Sequence, residues 1–168
     1  MRERYSPLPG EANVFRMARL GGGHLPHGHT LPLPEWLEPN KEDATAAQRS
    51  GRVPGISVWD CAVARPDDAR WFRCRPAEES WQCFAISVER AKDIGRACGR
   101  AVELVADPVT LPQADVRLAA LGAAERERLA SAGEGHSLME GLKRTAGTKV
   151  AHRSFLDELC GAFGPHSG

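Results

Sequence analysis

WQCFAISVERAKDIGRACGRAVELVA, residues 81–106, is the stretch on which the fold turns. Trp81 to Val88 is short, apolar and aromatic, with β-branched residues at its end, and reads as a strand. Ser87, or a residue beside it, caps a helix running from Glu89 to Cys98, and Gly99 ends that helix. Ala101 to Ala106 returns as a strand and stops at Asp107-Pro108. A strand, a helix and a strand within 26 residues exclude an all-helical bundle and an all-β sandwich. The expectation is an α+β fold: a compact mixed or antiparallel sheet, flanking helices, and a helical C-terminal third.

Working outward, residues 1–12 hold two prolines and mixed charges and read as a flexible lead-in. Residues 13–19 form a first strand. Gly21 to Pro34 is so punctuated by glycine and proline that no regular element persists. Glu42 to Arg49 suits a short helix with Asn40 as its N-cap. Ile56 to Val63 is a strand, Arg65 to Asp68 a turn, and Arg70 to Arg75 a short strand closed by Pro76. Beyond Pro112 alanine, leucine, arginine and glutamate dominate. There Leu118, Leu121 and Leu129 fall near helical spacing, and Ser137 begins a further helical stretch through Met139 and Leu142. Ser154 to Phe163 is a last helix, with Phe155, Leu156, Leu159 and Phe163 on one side. Residues 13–163 are expected as one domain, 113–163 mainly helical, and 164–168 as a tail.

The bulk numbers narrow the function classes. The chain has 168 residues, 42% hydrophobic and 26% charged, with 22 basic and 22 acidic side chains. A balanced charge gives no strong nucleic-acid signal, because backbone binders carry a basic surplus. No apolar run reaches the roughly 18 to 20 residues that span a bilayer, so no membrane partner is expected. The N-terminus lacks the apolar centre of a signal peptide. A cytoplasmic location follows as an expectation, with export that needs no cleavable signal left open. Cys61, Cys74, Cys83, Cys98 and Cys160 show no CxxC spacing and read as small buried residues in a reducing compartment.

Three strand-like runs each carry one chemically capable residue: Arg16, Ser57 and Glu103. Together they suit a nicotinamide dinucleotide. Arginine grips phosphate with two parallel hydrogen bonds, serine fixes a ribose or the arginine, and glutamate steadies an oxocarbenium-like transition state. The same three residues on strands can also simply face water. Phe15-Arg16, the run Gly55-Ile56-Ser57-Val58-Trp59-Asp60 and the late-strand Glu103 resemble the R–S–E pattern of small bacterial ADP-ribosyltransferase-like toxins and effectors. The resemblance covers residues 13–106. It implies NAD as the cofactor, Glu103, Arg16 and Ser57 as catalytic residues, and Arg16, Ser57 and Trp59 as cofactor-binding residues. It also implies an effector that transfers ADP-ribose or hydrolyses NAD, with a cognate immunity or target protein as partner. Two departures stand out. Val58 follows Ser57 where the arginine-modifying class has a Ser-Thr-Ser triplet, and Ala101 stands two residues before Glu103 where a second acid or glutamine is usual.

Other features carry less. His24, His27 and His29 could hold zinc, copper or nickel by residue type, but no matching pair of ligands stands elsewhere, and no metal is expected. Gly21-Gly22-Gly23 matches neither the P-loop nor the dinucleotide fingerprint. Trp36, Trp59, Trp71 and Trp81 suit base stacking, a core or a partner interface alike. A non-enzymatic binding module, such as an immunity protein, an antitoxin or a phage inhibitor, is the alternative reading.

Overall fold

The computed structural model describes residues 2–73, 80–144 and 147–167. Its centre is a six-stranded antiparallel sheet. The strands are β1 Asn13–Arg19, β2 Gly55–Asp60, β3 Trp81–Ser87, β4 Glu103–Ala106, β5 His136–Glu140 and β6 Gly164–His166, in the order β4-β5-β2-β1-β3-β6. Five α-helices accompany them: α1 Lys41–Ser50, α2 Pro66–Phe72, α3 Val88–Ala97, α4 Ala123–Gly133 and α5 Lys149–Gly161. The α+β expectation therefore holds, with the antiparallel option realised.

Alternation along the strands gives the sheet two apolar faces. Val14, Ala18, Ile56, Val58, Phe84, Ile86, Leu104 and Met139 meet α3 and α5 through Ala91, Ile94, Phe155, Leu156 and Leu159. Phe15, Met17, Trp59 and Cys83 meet α2 and α4 through Ala69 and Ala132. The first face is the main core. It also takes Trp36 from a 3-10 turn at Pro34–Leu37, and that ring packs edge-on against Phe84 and Phe163. The Gly/Pro-rich loop is anchored here by Leu25 and Leu37, both fully buried.

Local chemistry accounts for the helix starts. Asn40 accepts from the Asp43 amide while Asp43 accepts from the Asn40 amide, closing a capping box on α1. Ser87 caps α3 and Gly99 follows it with φ +69°. The strand–helix–strand unit of residues 81–106 is present, but β3 and β4 are not neighbours. Three strands lie between them, so α3 carries the chain across the sheet.

Four expectations are corrected. Arg70 to Phe72 is the end of α2, not a strand; Pro66 opens that helix and the Arg65 amide donates to Asp68, both helix-start signals. The rest of that expected strand, Cys74 to Pro76, lies outside the described residues. The stretch from Ser137 through Met139 is β5, not helix. It pairs with β2 on one side and β4 on the other, and that burial overrides the helical preference of Leu138, Met139 and Glu140. Within residues 113–163 helices still predominate, with α4 and α5 on either side of that one strand. Gly164–His166 is β6 rather than a loose tail. Before β1, the expected lead-in is tied to the outer edge of β4. Tyr5 and Leu8 amides donate to Ala106 and Leu104 carbonyls, and the Ala106 amide donates to Ser6.

Candidate functional site

Arg16 rises from the middle of β1, where that strand leaves β2. The two pair only at Val14↔Asp60 and Phe15↔Trp59; beyond Phe15, β1 follows β3 and β2 follows β5. The Arg16 guanidinium occupies the resulting gap. Nη1 donates to the Ser57 carbonyl at 2.9 Å, while Nε and Nη2 donate to the Trp36 carbonyl at 3.2 and 3.0 Å. The Trp36 ring lies beneath it, 5.6 Å from centroid to guanidinium carbon. Burial, and then the charge of Arg73, push the Arg16 pKa down to about 9, against a weaker pull from Asp43. The group remains a cation at neutral pH, held by main-chain dipoles.

The gap opens into a cleft of about 350 Å³. Arg16, Arg19, Arg73 and His24 line it, together with Trp36 and Trp81 and the backbone of Gly22 and Gly23. Desolvation, then the Arg16 charge, push the His24 pKa down, partly offset by Glu35. The cleft is thus a concentration of positive charge with two indole walls, although the chain as a whole is neutral.

The Ser57 side chain goes elsewhere. Arg16 shares its face with Val14 and Ala18 of the main core, whereas Ser57 lies between Ile56 and Val58 of that core and so faces the opposite side. On that side its Oγ lies 2.9 Å from His136 Nε2. His136 Nδ1 is 2.8 Å from the Asp107 carbonyl and 3.3 Å from Asp107 Oδ2. Because Asp107 offers Nδ1 only acceptors, the neutral ring carries its proton there and leaves Nε2 to accept from the Ser57 hydroxyl. Arg4 Nε donates to Asp107 Oδ1 at 2.8 Å. Burial alone would raise the Asp107 carboxyl; the hydrogen bonds and charges of His136 and Arg4 outweigh it and hold the group below its ordinary range.

Ser57, His136 and Asp107 border a second cavity, of about 150 Å³, between α1 and the N-terminal segment. Tyr5 forms part of its wall, sandwiched between the guanidinium groups of Arg4 and Arg52 at 4.9 and 4.2 Å. Arg52 in turn donates to both oxygens of buried Glu140 at 2.9 and 2.6 Å.

The residues singled out from sequence are only partly brought together. Arg16 and Ser57 touch, through a main-chain carbonyl. Glu103 begins β4 at the far side of β5 and β2, is half exposed, and faces Lys92 at 3.9 Å. Trp59 is 3% exposed, packed against His136 and Phe72, and borders neither cavity. Trp36 and Trp81 stand at the arginine cleft instead. His24 turns toward that cleft, while His27 and His29 are exposed, and the described residues contain no group of three or more metal-capable side chains. His136 and Asp107 were not anticipated as partners of Ser57. One signal was available: His136–Glu140 is a five-residue run between Gly135 and Gly141, strand length rather than helix length. Among the described residues, no helix is long and apolar enough to cross a membrane. Comparison with protein-family models, with curated proteins and with solved structures found no match.

Proposed function

We propose that this chain is an NAD-utilising, effector-like protein whose dinucleotide lies in the Arg16 cleft. One observation carries the reading: the Arg16 guanidinium is buried in the gap between β1 and β2 and directs all three of its hydrogen bonds to carbonyls. Among the described residues none of these bonds reaches a carboxylate, and a phosphate oxygen arriving through the cleft would add a counter-charge to the weak pull of Asp43. Arg19 and Arg73 line the same cleft as Arg16, and Trp81 at its wall is a candidate to meet a base or a nicotinamide. Ser57 serves this site through its carbonyl, as a positioning residue for Arg16.

Glu103 has no part in this reading, because it stands on the outer side of the sheet. Cleavage of the nicotinamide–ribose bond here would add water at the ribose carbon and release nicotinamide.

The test is thermal protection and turnover. Ligand at 100 times its Kd adds about 2.7 kcal/mol of stability, which for a chain of this size raises Tm by roughly 5–10 °C. NAD, ADP and inorganic pyrophosphate should each raise Tm and adenosine should not, with Arg16→Lys weakening protection about tenfold through loss of the two-pronged contact. Loss of NAD over time, read as released nicotinamide, would extend binding to catalysis. No protection by NAD or pyrophosphate at millimolar concentration would overturn the reading and shift the weight to a protein-binding module.

A further inference from the structure

We propose that Ser57, His136 and Asp107 form a nucleophile relay that transfers short acyl groups from esters to water, in the cavity they border beside α1 rather than in the Arg16 cleft. The geometry has the order such chemistry needs. The hydroxyl is 2.9 Å from one ring nitrogen, and the other nitrogen is fixed by an acceptor pair on Asp107. Three separate elements supply the parts: Ser57 from the middle of β2, His136 from the first position of β5, and Asp107 from the residue after β4. The Asp107 amide donates to the His136 carbonyl at 3.0 Å, so the acid and the imidazole are fastened by main chain as well as side chain. The Trp59 ring lies edge-on to the imidazole at 5.0 Å and limits its rotation.

The cavity decides the substrate class. About 150 Å³ holds some five waters at about 30 Å³ each. That room suits an acyl group of two to four carbons better than a long chain. Its walls are apolar at Ala46, Ala47, Val53 and Leu138 and cationic at Arg4 and Arg52. Asp43 and Asp107 line it as well, and Arg4 and Arg52 are the donors nearest to a developing oxyanion.

The step balances without any cofactor. Ser57 Oγ attacks the ester carbonyl carbon while its proton passes to His136 Nε2. The tetrahedral intermediate collapses, the carbon–oxygen bond to the leaving alcohol breaks, and that alkoxide takes the proton from Nε2. Water then attacks the acyl-serine, again giving its proton to His136, and carboxylic acid and free Ser57 result. Asp107 acts as a positioning residue, holding the tautomer and balancing the imidazolium.

The experiment uses the whole purified chain with a small alkyl fluorophosphonate and a series of p-nitrophenyl esters. The expected results are a phosphonyl adduct mapped by peptide mass to Ser57 and hydrolysis of acetate and butyrate esters well ahead of octanoate. Ser57→Ala should abolish both, His136→Gln should lower both about 100-fold or more, and Asp107→Asn should lower kcat with KM little changed. The wild-type adduct requires no variant to fold. Absence of a Ser57 adduct on the folded chain, or equal ester hydrolysis by folded Ser57→Ala, would overturn the proposal. Neither outcome bears on NAD binding in the Arg16 cleft.

Discussion

Glu140 is 2% exposed and closes β5. Its carboxylate is answered by Arg52, from the turn between α1 and β2, through hydrogen bonds of 2.9 and 2.6 Å. Arg52→Ala therefore strands a buried anion. Breaking such a pair by removing one partner costs about 3–5 kcal/mol, because the other charge is left buried alone. Urea denaturation of wild type and Arg52→Ala at pH 7 should show a destabilisation of about that size. Converting Arg52 to Met and Glu140 to Leu together should recover most of the loss, because neither charge is then buried alone. A loss below about 1 kcal/mol, or a double variant no more stable than Arg52→Ala, would refute the argument.

Two further outcomes follow from burial. Desolvation pushes the Cys83 thiol up to about 12, from an unfolded value near 9; its neutral form is favoured by folding, so the stability it provides is intact below pH 9 and declines as pH rises toward 12. At pH 11 the loss is about 2.7 kcal/mol. The stability gap between Cys83→Ala and wild type should therefore close by about that much between pH 8 and pH 11 in denaturant titrations, and an unchanged gap would defeat the argument. Arg16, depressed to about 9, acts in the opposite sense over the same window, which is why the comparison is between variants rather than of wild type alone. At the end of β5, Gly141 has φ +92°, and a Cβ there would lie 2.1 Å from the Ala101 carbonyl oxygen. Gly141→Ala should cost about 3 kcal/mol or more by thermal or urea melts, and a loss under about 1 kcal/mol would show that the β5 turn is not built this way.

The elements legible in the sequence were those with strong local grammar. Asn40 with Asp43, Ser87 with its helix, and the aromatic run Trp81–Ser87 each specify their own structure within a few residues. The misread segments lack that property. β5 is made of His, Ser, Leu, Met and Glu, residues with no common preference for strands, and it becomes one because β2 and β4 offer it hydrogen-bonding partners on both sides. β6 is three residues long and contains a proline, which an edge strand tolerates. α2 was obscured because Pro66 reads equally as turn former and as first residue of a helix.

The candidate site shows the same division more sharply. Choosing Arg16, Ser57 and Glu103 required only that each sit on a strand, and all three do. Whether strand residues meet depends on strand order and on parity, and neither is local. Strand order puts β5 and β2 between Glu103 and Arg16, so the glutamate is lost to both cavities. Parity sends the Ser57 hydroxyl to one face and the Arg16 guanidinium to the other, yet leaves them joined, because a strand's carbonyls lie in the plane of the sheet and are open to a side chain reaching through the gap. Ser57 is consequently the one residue that borders both chemistries. Its carbonyl helps hold the cation of the larger cleft, and its hydroxyl faces a proton acceptor, His136 Nε2. A substitution at Ser57 that removes the hydroxyl leaves that carbonyl in place, whereas a proline there would remove the amide that joins β2 to its ladder. The two kinds of change therefore separate what the backbone does at this position from what the side chain does.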